Sequence, residues 1–205
     1  MDTGKDRVWQ RMLNVPNVLT LARLVLSIVV FVLVPLGYYF SALIVFIIAA
    51  STDWIDGYWA RRFNQVTQLG RIFDPFVDKI IVCGLFVFLA AEEESGIAAW
   101  MAVVVVAREM LVTALRGFIE QSGGDFSAKM AGKLKMVFQC LAGGFGLAAL
   151  MYANGTAPGW LTSLLPLAVF QMLLLVSVWL AVLSTIYSGL QYVLAAGKYL
   201  ADTPS

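Results

Sequence analysis

The chain has 205 residues, of which 60% are hydrophobic and 13% are charged, and its formal net charge is +1. Soluble domains are usually about 45–50% apolar, so the composition excludes an ordinary soluble enzyme and predicts an integral membrane protein. The chain contains no histidine, which excludes a histidine triad, a histidine metal site and a phosphohistidine intermediate. The net charge says little about partners, and we expect no nucleic-acid partner.

Six apolar segments have about the 20 residues that a membrane helix needs. Helices are predicted at residues 17–36, 41–61, 72–91, 97–119, 133–153 and 166–194. Residues 8–13 either form a short interfacial helix before the first span or belong to a solvated tail. The predicted fold is therefore all-α, with six transmembrane helices and the short N-terminal helix. We expect one domain over 1–205, with a juxtamembrane segment at 1–16 and a core at 17–195.

The lysines and arginines in the breaks between predicted spans, or at the span ends beside them, occur at alternate breaks. They are Lys5, Arg7, Arg11, Arg61, Arg62, Arg71, Lys129, Lys133, Lys135 and Lys198. The loops at 35–41, 92–97 and 154–166 contain neither residue type. By the positive-inside rule, both termini are predicted to face the cytoplasm. We expect no cleaved signal peptide, because Arg23 interrupts the first apolar run, and we expect Cys83 and Cys140 to be buried thiols.

Four aspartates lie close together in the first half of the chain. From position 53 the sequence reads D-x-x-D-G-x-x-A-R, then eight residues, then G-x-x-x-D-x-x-x-D. Helical spacing puts Asp53 and Asp56 on one face of the second helix, and Asp74 and Asp78 on one face of the third. Ionisable groups at membrane depth are costly, and four carboxylates would repel each other without cations among them. Such hard oxygen ligands suit Mg²⁺ or Mn²⁺, and we expect two ions.

Small residues accompany these aspartates. Gly57 and Ala60 leave room for a flat or phosphorylated ligand, and Arg61 can bind a phosphate through two donors. Gly70 provides a second point of close approach. Pro75 is expected near the start of the third helix, where its missing N–H costs little. The alternative is an ion-pair network with neighbouring arginines and lysines, in which the glycine and alanine spacing has no role.

The segment from Asp53 to Asp78 resembles the signature of the CDP-alcohol phosphotransferase family at every signature position. The resemblance implies transfer of a substituted phosphoryl group from a CDP-linked donor to an alcohol, with release of CMP. It also implies divalent metal, a six-helix membrane core and a homodimer. The implied metal ligands are Asp53, Asp56, Asp74 and Asp78, and Asp78 is also the implied general base. The residues implied to bind CDP are Asp56, Gly57, Ala60, Arg61 and Gly70.

Three further segments resemble the bacterial phosphatidylglycerophosphate synthases of this family. Residues 14–23 read N-V-P-N-V-L-T-L-A-R, residues 108–116 read R-E-M-L-V-T-A-L-R, and residues 128–136 read A-K-M-A-G-K-L-K-M. Met136 stands where threonine is usual. The resemblance implies CDP-diacylglycerol as donor, glycerol 3-phosphate as acceptor, and a multi-pass location in the bacterial inner membrane with the active site facing the cytoplasm.

The implied acceptor is a dianion and needs cations. Its phosphate is predicted to bind Arg108, Arg116, Lys133 and Lys135. Further candidate site residues are Asn17, Thr20, Arg23 and Glu109. Arg23 either binds substrate or extends to the interface, and Lys129 is assigned to lipid headgroups. Two alternatives stay open: a synthase that makes cardiolipin, phosphatidylserine or phosphatidylinositol phosphate, and a divalent-cation transporter.

Overall fold

The structure is a computed structural model that describes residues 15–63, 68–121 and 130–202. Within these ranges it contains helices and no strand. The helices are α1 (Val15–Leu33), α2 (Tyr39–Phe63), α3 (Gln68–Ala90), α4 (Ala99–Gln121), α5 (Met130–Ala153), α6 (Gly159–Leu164) and α7 (Leu167–Asp202), with a 3₁₀ turn at Glu93–Ser95. The chain forms two compact units, Met1–Leu85 and Phe86–Ser205. The single domain over 1–205 stays a prediction.

The six long helices coincide with the six predicted segments, and the differences have local causes. The third helix begins at Gln68, so Pro75 is an interior residue and leaves the carbonyl oxygen of Arg71 without its usual helical donor. The last helix continues to Asp202 because residues 195–202 contain no proline to stop it. The short helix α6 was not predicted. The proposed interfacial helix at 8–13 lies outside the described residues.

Two predicted breaks end their helices in the same way. At the end of α1, the Gly37 N–H donates to the Val34 carbonyl at 3.0 Å, and the Tyr38 N–H donates to the Leu33 carbonyl at 3.0 Å. Gly37 has a φ of 79°, a left-handed conformation that glycine adopts at no steric cost. The same pair of bonds surrounds Gly155 after α5, where φ is 65°. Both turns are Schellman motifs.

Two of the described helices contain stretches long and apolar enough to cross a membrane. They are Leu134–Ala153 in α5 and Leu167–Ala201 in α7. Shorter apolar stretches occur at Val18–Leu33, Tyr39–Thr52 and Lys79–Ala90. Length and composition therefore identify two candidate spans within the described residues. The six-span topology and the cytoplasmic termini stay predictions.

Several helices bury polar side chains and expose apolar ones. In α1, Arg23 is 2% exposed while Leu21 is 61% exposed. In α4, Glu109 is 5% exposed while the adjacent Met110 is 70% exposed. On α7, Ser188 is fully buried. Water-soluble proteins usually show the reverse distribution, and large exposed apolar areas mark surfaces that contact lipid or protein. This pattern favours helices that face lipid.

The first unit, Met1–Leu85, packs α1 against α2. Gly84 lets α3 approach α1 closely, because a Cβ at this position would lie 2.2 Å from the Phe31 ring. Val30 of α1 and Val34, directly after this helix, are almost completely buried. Small and apolar residues therefore position the helices that carry the aspartate pattern.

The second unit, Phe86–Ser205, packs α7 against both α4 and α5. The loop between α3 and α4 is fixed by the buried Ser95 hydroxyl. This hydroxyl donates to the Leu89 carbonyl at 2.6 Å and accepts from the Ile97 N–H at 3.1 Å. Gly146 of α5 allows close contact with the end of α3 and with this loop, because an added Cβ would lie 2.8 Å from Leu89 Cδ1 and 3.5 Å from the Ser95 carbonyl oxygen.

Replacing Gly96 with alanine is expected to destabilise this unit. Gly96 has a φ of 73°, and an added Cβ would lie 2.9 Å from Leu174 Cδ2. Gly155 is a matched control, since its φ is 65° but nothing lies within 4 Å of an added Cβ. In thermal unfolding in detergent, Gly155→Ala should lower the free energy of unfolding by about 1–2 kcal/mol, from backbone strain alone. Gly96→Ala should lower the free energy of unfolding by roughly 1 kcal/mol more, because Leu174 must also move. Equal decreases in the two variants would contradict the close contact between Gly96 and Leu174.

Candidate functional site

The aspartate pattern spans two successive helices. Asp53, Asp56, Gly57, Ala60 and Arg61 occupy the last three turns of α2, and Gly70, Asp74 and Asp78 occupy the first three turns of α3. Both segments are helical, so positions 53, 56, 57 and 60 share one face of α2, and positions 70, 74 and 78 share one face of α3. The side chains at these eight positions lie outside the described residues, and their roles stay predictions.

A metal site depends on these same positions. Among the side chains that the structure describes, no three Cys, Asp or Glu residues lie close enough together to hold a metal ion. Four carboxylates on two helix faces form a donor set that fits Mg²⁺ or Mn²⁺, which prefer hard oxygen ligands. The four aspartates therefore stay the candidate ligands.

The segment that resembles R-E-x-x-x-T-x-L-R forms a buried ion-pair network. On α4, Arg108 Nη1 donates to the two carboxylate oxygens of Glu109 at 3.3 and 3.4 Å. From α5, Lys135 Nζ donates to Glu109 Oε1. Arg108, Glu109 and Lys135 are each at least nine-tenths buried. The structure therefore brings together two residues predicted to bind the acceptor phosphate, Arg108 and Lys135, with the further candidate Glu109.

Arg116 joins this network through a residue that the sequence analysis did not select. Arg116 Nη2 donates to the hydroxyl oxygen of Tyr192 on α7 at 3.1 Å. The guanidinium carbons of Arg108 and Arg116 lie 5.5 and 5.9 Å from the centroid of the Tyr192 ring, within the range of cation–π contact. Arg108, Glu109, Arg116, Lys135 and Tyr192 together are called the basic cluster below.

The basic cluster has more positive than negative charge. It contains three cations and one carboxylate, that of Glu109, which pairs with Arg108 and Lys135. The Nε atoms of Arg108 and Arg116 are buried and have no hydrogen-bond acceptor among the described residues. Buried charges and buried donors are costly unless they are paired. The arrangement is therefore suited to an anion that supplies oxygen acceptors and negative charge.

Of the remaining predicted site residues, some have side chains that the structure describes and others do not. Thr20 and Arg23 are buried in α1, which argues against extension of Arg23 to the interface, while substrate binding by Arg23 stays a prediction. The side chains of Asn17 and Lys133, and the whole of Lys129, lie outside the described residues. Their predicted roles are untested.

A sequence signal for the contribution of α7 does exist. Thr185, Ser188 and Tyr192 are polar positions at helical spacing within an apolar helix, and all three are buried. Thr185 accepts a hydrogen bond from Gln139 Nε2 of α5 at 3.0 Å. A polar face on a helix of a membrane protein is costly unless it packs inward. This face could have been selected from its spacing, although its partners could not.

Comparison with known proteins is consistent with this arrangement. A sequence model of the CDP-alcohol phosphatidyltransferase family matches residues 13–194. A Bacillus subtilis protein named CDP-diacylglycerol–glycerol-3-phosphate 3-phosphatidyltransferase is 34% identical over 196 residues, which cover 88% of this chain and 94% of that protein. Proteins of the same name from Escherichia coli strain K12 and Shigella flexneri serotype 5b are each 33% identical over 194 residues, covering 92% of this chain and 98% of theirs.

Proposed function

The chain belongs to the CDP-alcohol phosphatidyltransferase family, and on that premise we propose that it transfers the phosphatidyl group of CDP-diacylglycerol to sn-glycerol 3-phosphate. The products are phosphatidylglycerophosphate and CMP. The observation that carries this proposal is similarity over nearly the full length to proteins named for that reaction. The basic cluster supports it independently, because its surplus of positive charge suits a phosphate dianion.

The donor is proposed to bind along α2 and the start of α3. Gly57, Ala60 and Gly70 leave space for the cytidine and diphosphate, and Arg61 binds a phosphate oxygen pair. Mg²⁺ or Mn²⁺, in two sites held by the four aspartates, would neutralise charge on the diphosphate. These residues together fix the donor with its reacting phosphorus exposed to the acceptor.

The acceptor is proposed to bind with its phosphate on the basic cluster, assisted by Lys133. Asp78 takes the proton of the acceptor hydroxyl, and that oxygen attacks the β-phosphorus of CDP-diacylglycerol. The bond from this phosphorus to the bridging oxygen breaks, and CMP leaves. Positioning and charge stabilisation supply most of the rate enhancement in such phosphoryl transfers.

The location follows from the substrates. The acyl chains of the donor stay in the bilayer, so the site is proposed to open towards lipid at the cytoplasmic side of a bacterial inner membrane. The exposed apolar faces of α1 and α7 support a multi-pass membrane protein. We further propose a homodimer, as the family resemblance implies.

An acceptor panel tests the proposed reaction. Purified protein in detergent would receive CDP-diacylglycerol and Mg²⁺ with glycerol 3-phosphate, serine, inositol phosphate or phosphatidylglycerol, each supplied separately. CMP release is expected only with glycerol 3-phosphate. Release with only another acceptor would keep the family assignment and reject the proposed substrate.

Nucleotide binding separates this enzyme from a divalent-cation transporter. CDP added with Mn²⁺ is expected to raise the unfolding temperature more than Mn²⁺ alone, because a ligand that binds only the folded state stabilises it. CDP with EDTA is the control and should have little effect. Stabilisation by Mn²⁺ that CDP does not increase would favour the transporter.

A further inference from the structure

Tyr192 contacts both arginines of the basic cluster from a helix outside the segments that resemble the family motifs. Its ring is 2% exposed. Its hydroxyl accepts a hydrogen bond from Arg116 Nη2 at 3.1 Å, and Arg108 and Arg116 lie 5.5 and 5.9 Å from the ring centroid. One aromatic side chain on α7 therefore fixes two cations that lie two turns apart on α4.

This contact offsets a repulsion. Two guanidinium groups held on one ring repel each other, and burial strengthens the repulsion because the local dielectric is low. The negative face of an aromatic ring attracts each cation, and a hydroxyl oxygen can accept from a guanidinium N–H. Glu109 also accepts a hydrogen bond from Arg108. The pair is therefore kept in place before an anion arrives.

The backbone of α7 also contributes to this contact. A Cβ at Gly189, one turn before Tyr192, would lie 3.2 Å from Arg108 Cγ. That distance is shorter than ordinary van der Waals contact, so the absence of a side chain allows the Arg108 stem to pass close to the helix. Gly189 and Tyr192 together define the position of Arg108.

The held arginines keep donors for a ligand. A guanidinium group has five N–H donors, and Arg116 uses one of its Nη2 donors on Tyr192. The Nε donors of both arginines are buried without an acceptor among the described residues. Paired arginines with donors to spare match the several oxygen atoms of a phosphate group.

We propose that Tyr192 is a positioning residue that holds Arg108 and Arg116 as a pair, so that their remaining N–H groups bind the phosphate monoester of the acceptor. This inference rests on the proposed function for the identity of the acceptor. The role of Tyr192 in phosphate binding itself rests on the geometry of the basic cluster.

Tyr192→Phe and Tyr192→Leu test this proposal. The Phe variant keeps the ring and loses the hydrogen bond to Arg116, so the KM for glycerol 3-phosphate should rise about tenfold. The Leu variant loses both contacts, so that KM should rise about 100-fold. The KM for CDP-diacylglycerol should stay unchanged in both. Tyr187→Phe is the matched control, because it removes the hydroxyl of an exposed tyrosine on the same helix.

A second readout needs no turnover. Inorganic phosphate would be titrated against the unfolding temperature of each protein in detergent. The apparent phosphate affinity should fall about tenfold in Tyr192→Phe and stay at the wild-type value in Tyr187→Phe. This readout keeps the proposal testable if the Leu variant does not fold.

The outcomes separate the two claims. A wild-type protein that binds phosphate but releases no CMP with glycerol 3-phosphate would reject the proposed function. The phosphate titration of Tyr192→Phe would then decide by itself whether Tyr192 positions the arginines. A Tyr192→Phe variant with wild-type phosphate affinity would overturn the positioning role. Equal increases in the KM of both substrates together with a lower unfolding temperature would also overturn it, since they indicate a structural role only.

Discussion

Replacing Asp78 with asparagine is expected to lower the rate of CMP release by about 10²–10⁴-fold, the usual contribution of a general base. Asparagine has nearly the same shape as aspartate but cannot accept the proton of the acceptor hydroxyl. Position 78 lies on the same face of α3 as positions 70 and 74. The initial rate would be measured in detergent with saturating CDP-diacylglycerol, glycerol 3-phosphate and Mg²⁺.

Two controls show which role the lost carboxylate had. Asp202→Asn removes a carboxylate at the end of α7 and should keep the wild-type rate. Stabilisation by CDP with Mn²⁺ should persist in Asp78→Asn if Asp78 acts mainly as the base. Its loss would instead make metal binding the main role of Asp78. A rate within tenfold of wild type would contradict both roles.

Replacing Glu109 with glutamine is expected to destabilise the protein strongly. Glu109 is the only carboxylate in the basic cluster, and it accepts hydrogen bonds from both Arg108 and Lys135. Removing one partner of a buried ion pair typically costs about 3–5 kcal/mol, because an uncompensated charge is left buried. Thermal or denaturant unfolding in detergent would measure the loss.

The double variant Glu109→Gln with Lys135→Met is the matched control. It removes one charge of each sign, so it should unfold at a higher temperature than Glu109→Gln alone. The two substitutions should therefore be non-additive by about 1–3 kcal/mol, as expected for side chains in contact. The double variant should still show a raised KM for glycerol 3-phosphate, because Lys135 is proposed to bind the acceptor phosphate. Strict additivity would contradict the ion pair.

Local sequence signals predicted the helices and several of their ends. Gly37 and Gly155 mark helix ends because glycine adopts the left-handed conformation that a Schellman motif requires. The start of α3 was predicted too late in the chain because Pro75 was expected in the first turn. Proline is most common there but also occurs inside helices. The short helix α6 was missed because its six residues fall in a segment rich in glycine and proline.

The contact between Tyr192 and the arginines of the basic cluster could not be predicted from the sequence. Arg108, Arg116 and Lys135 were selected from motifs and charge, whereas Tyr192 lies 76 residues beyond Arg116 and contacts it only through packing of α7 on α4. Helical spacing identifies which residues share a face. It does not identify the helix that the face will meet, so contacts between distant segments required the structure.

Transfer of label from glycerol 3-phosphate into lipid is the decisive test of the proposed reaction. Purified protein would be incubated with CDP-diacylglycerol, Mg²⁺ and radiolabelled glycerol 3-phosphate, and the label in the extracted lipid would be compared with the CMP released. We predict equal molar amounts of labelled lipid and CMP, both absent without CDP-diacylglycerol. Release of CMP without label in the lipid would contradict glycerol 3-phosphate as the acceptor.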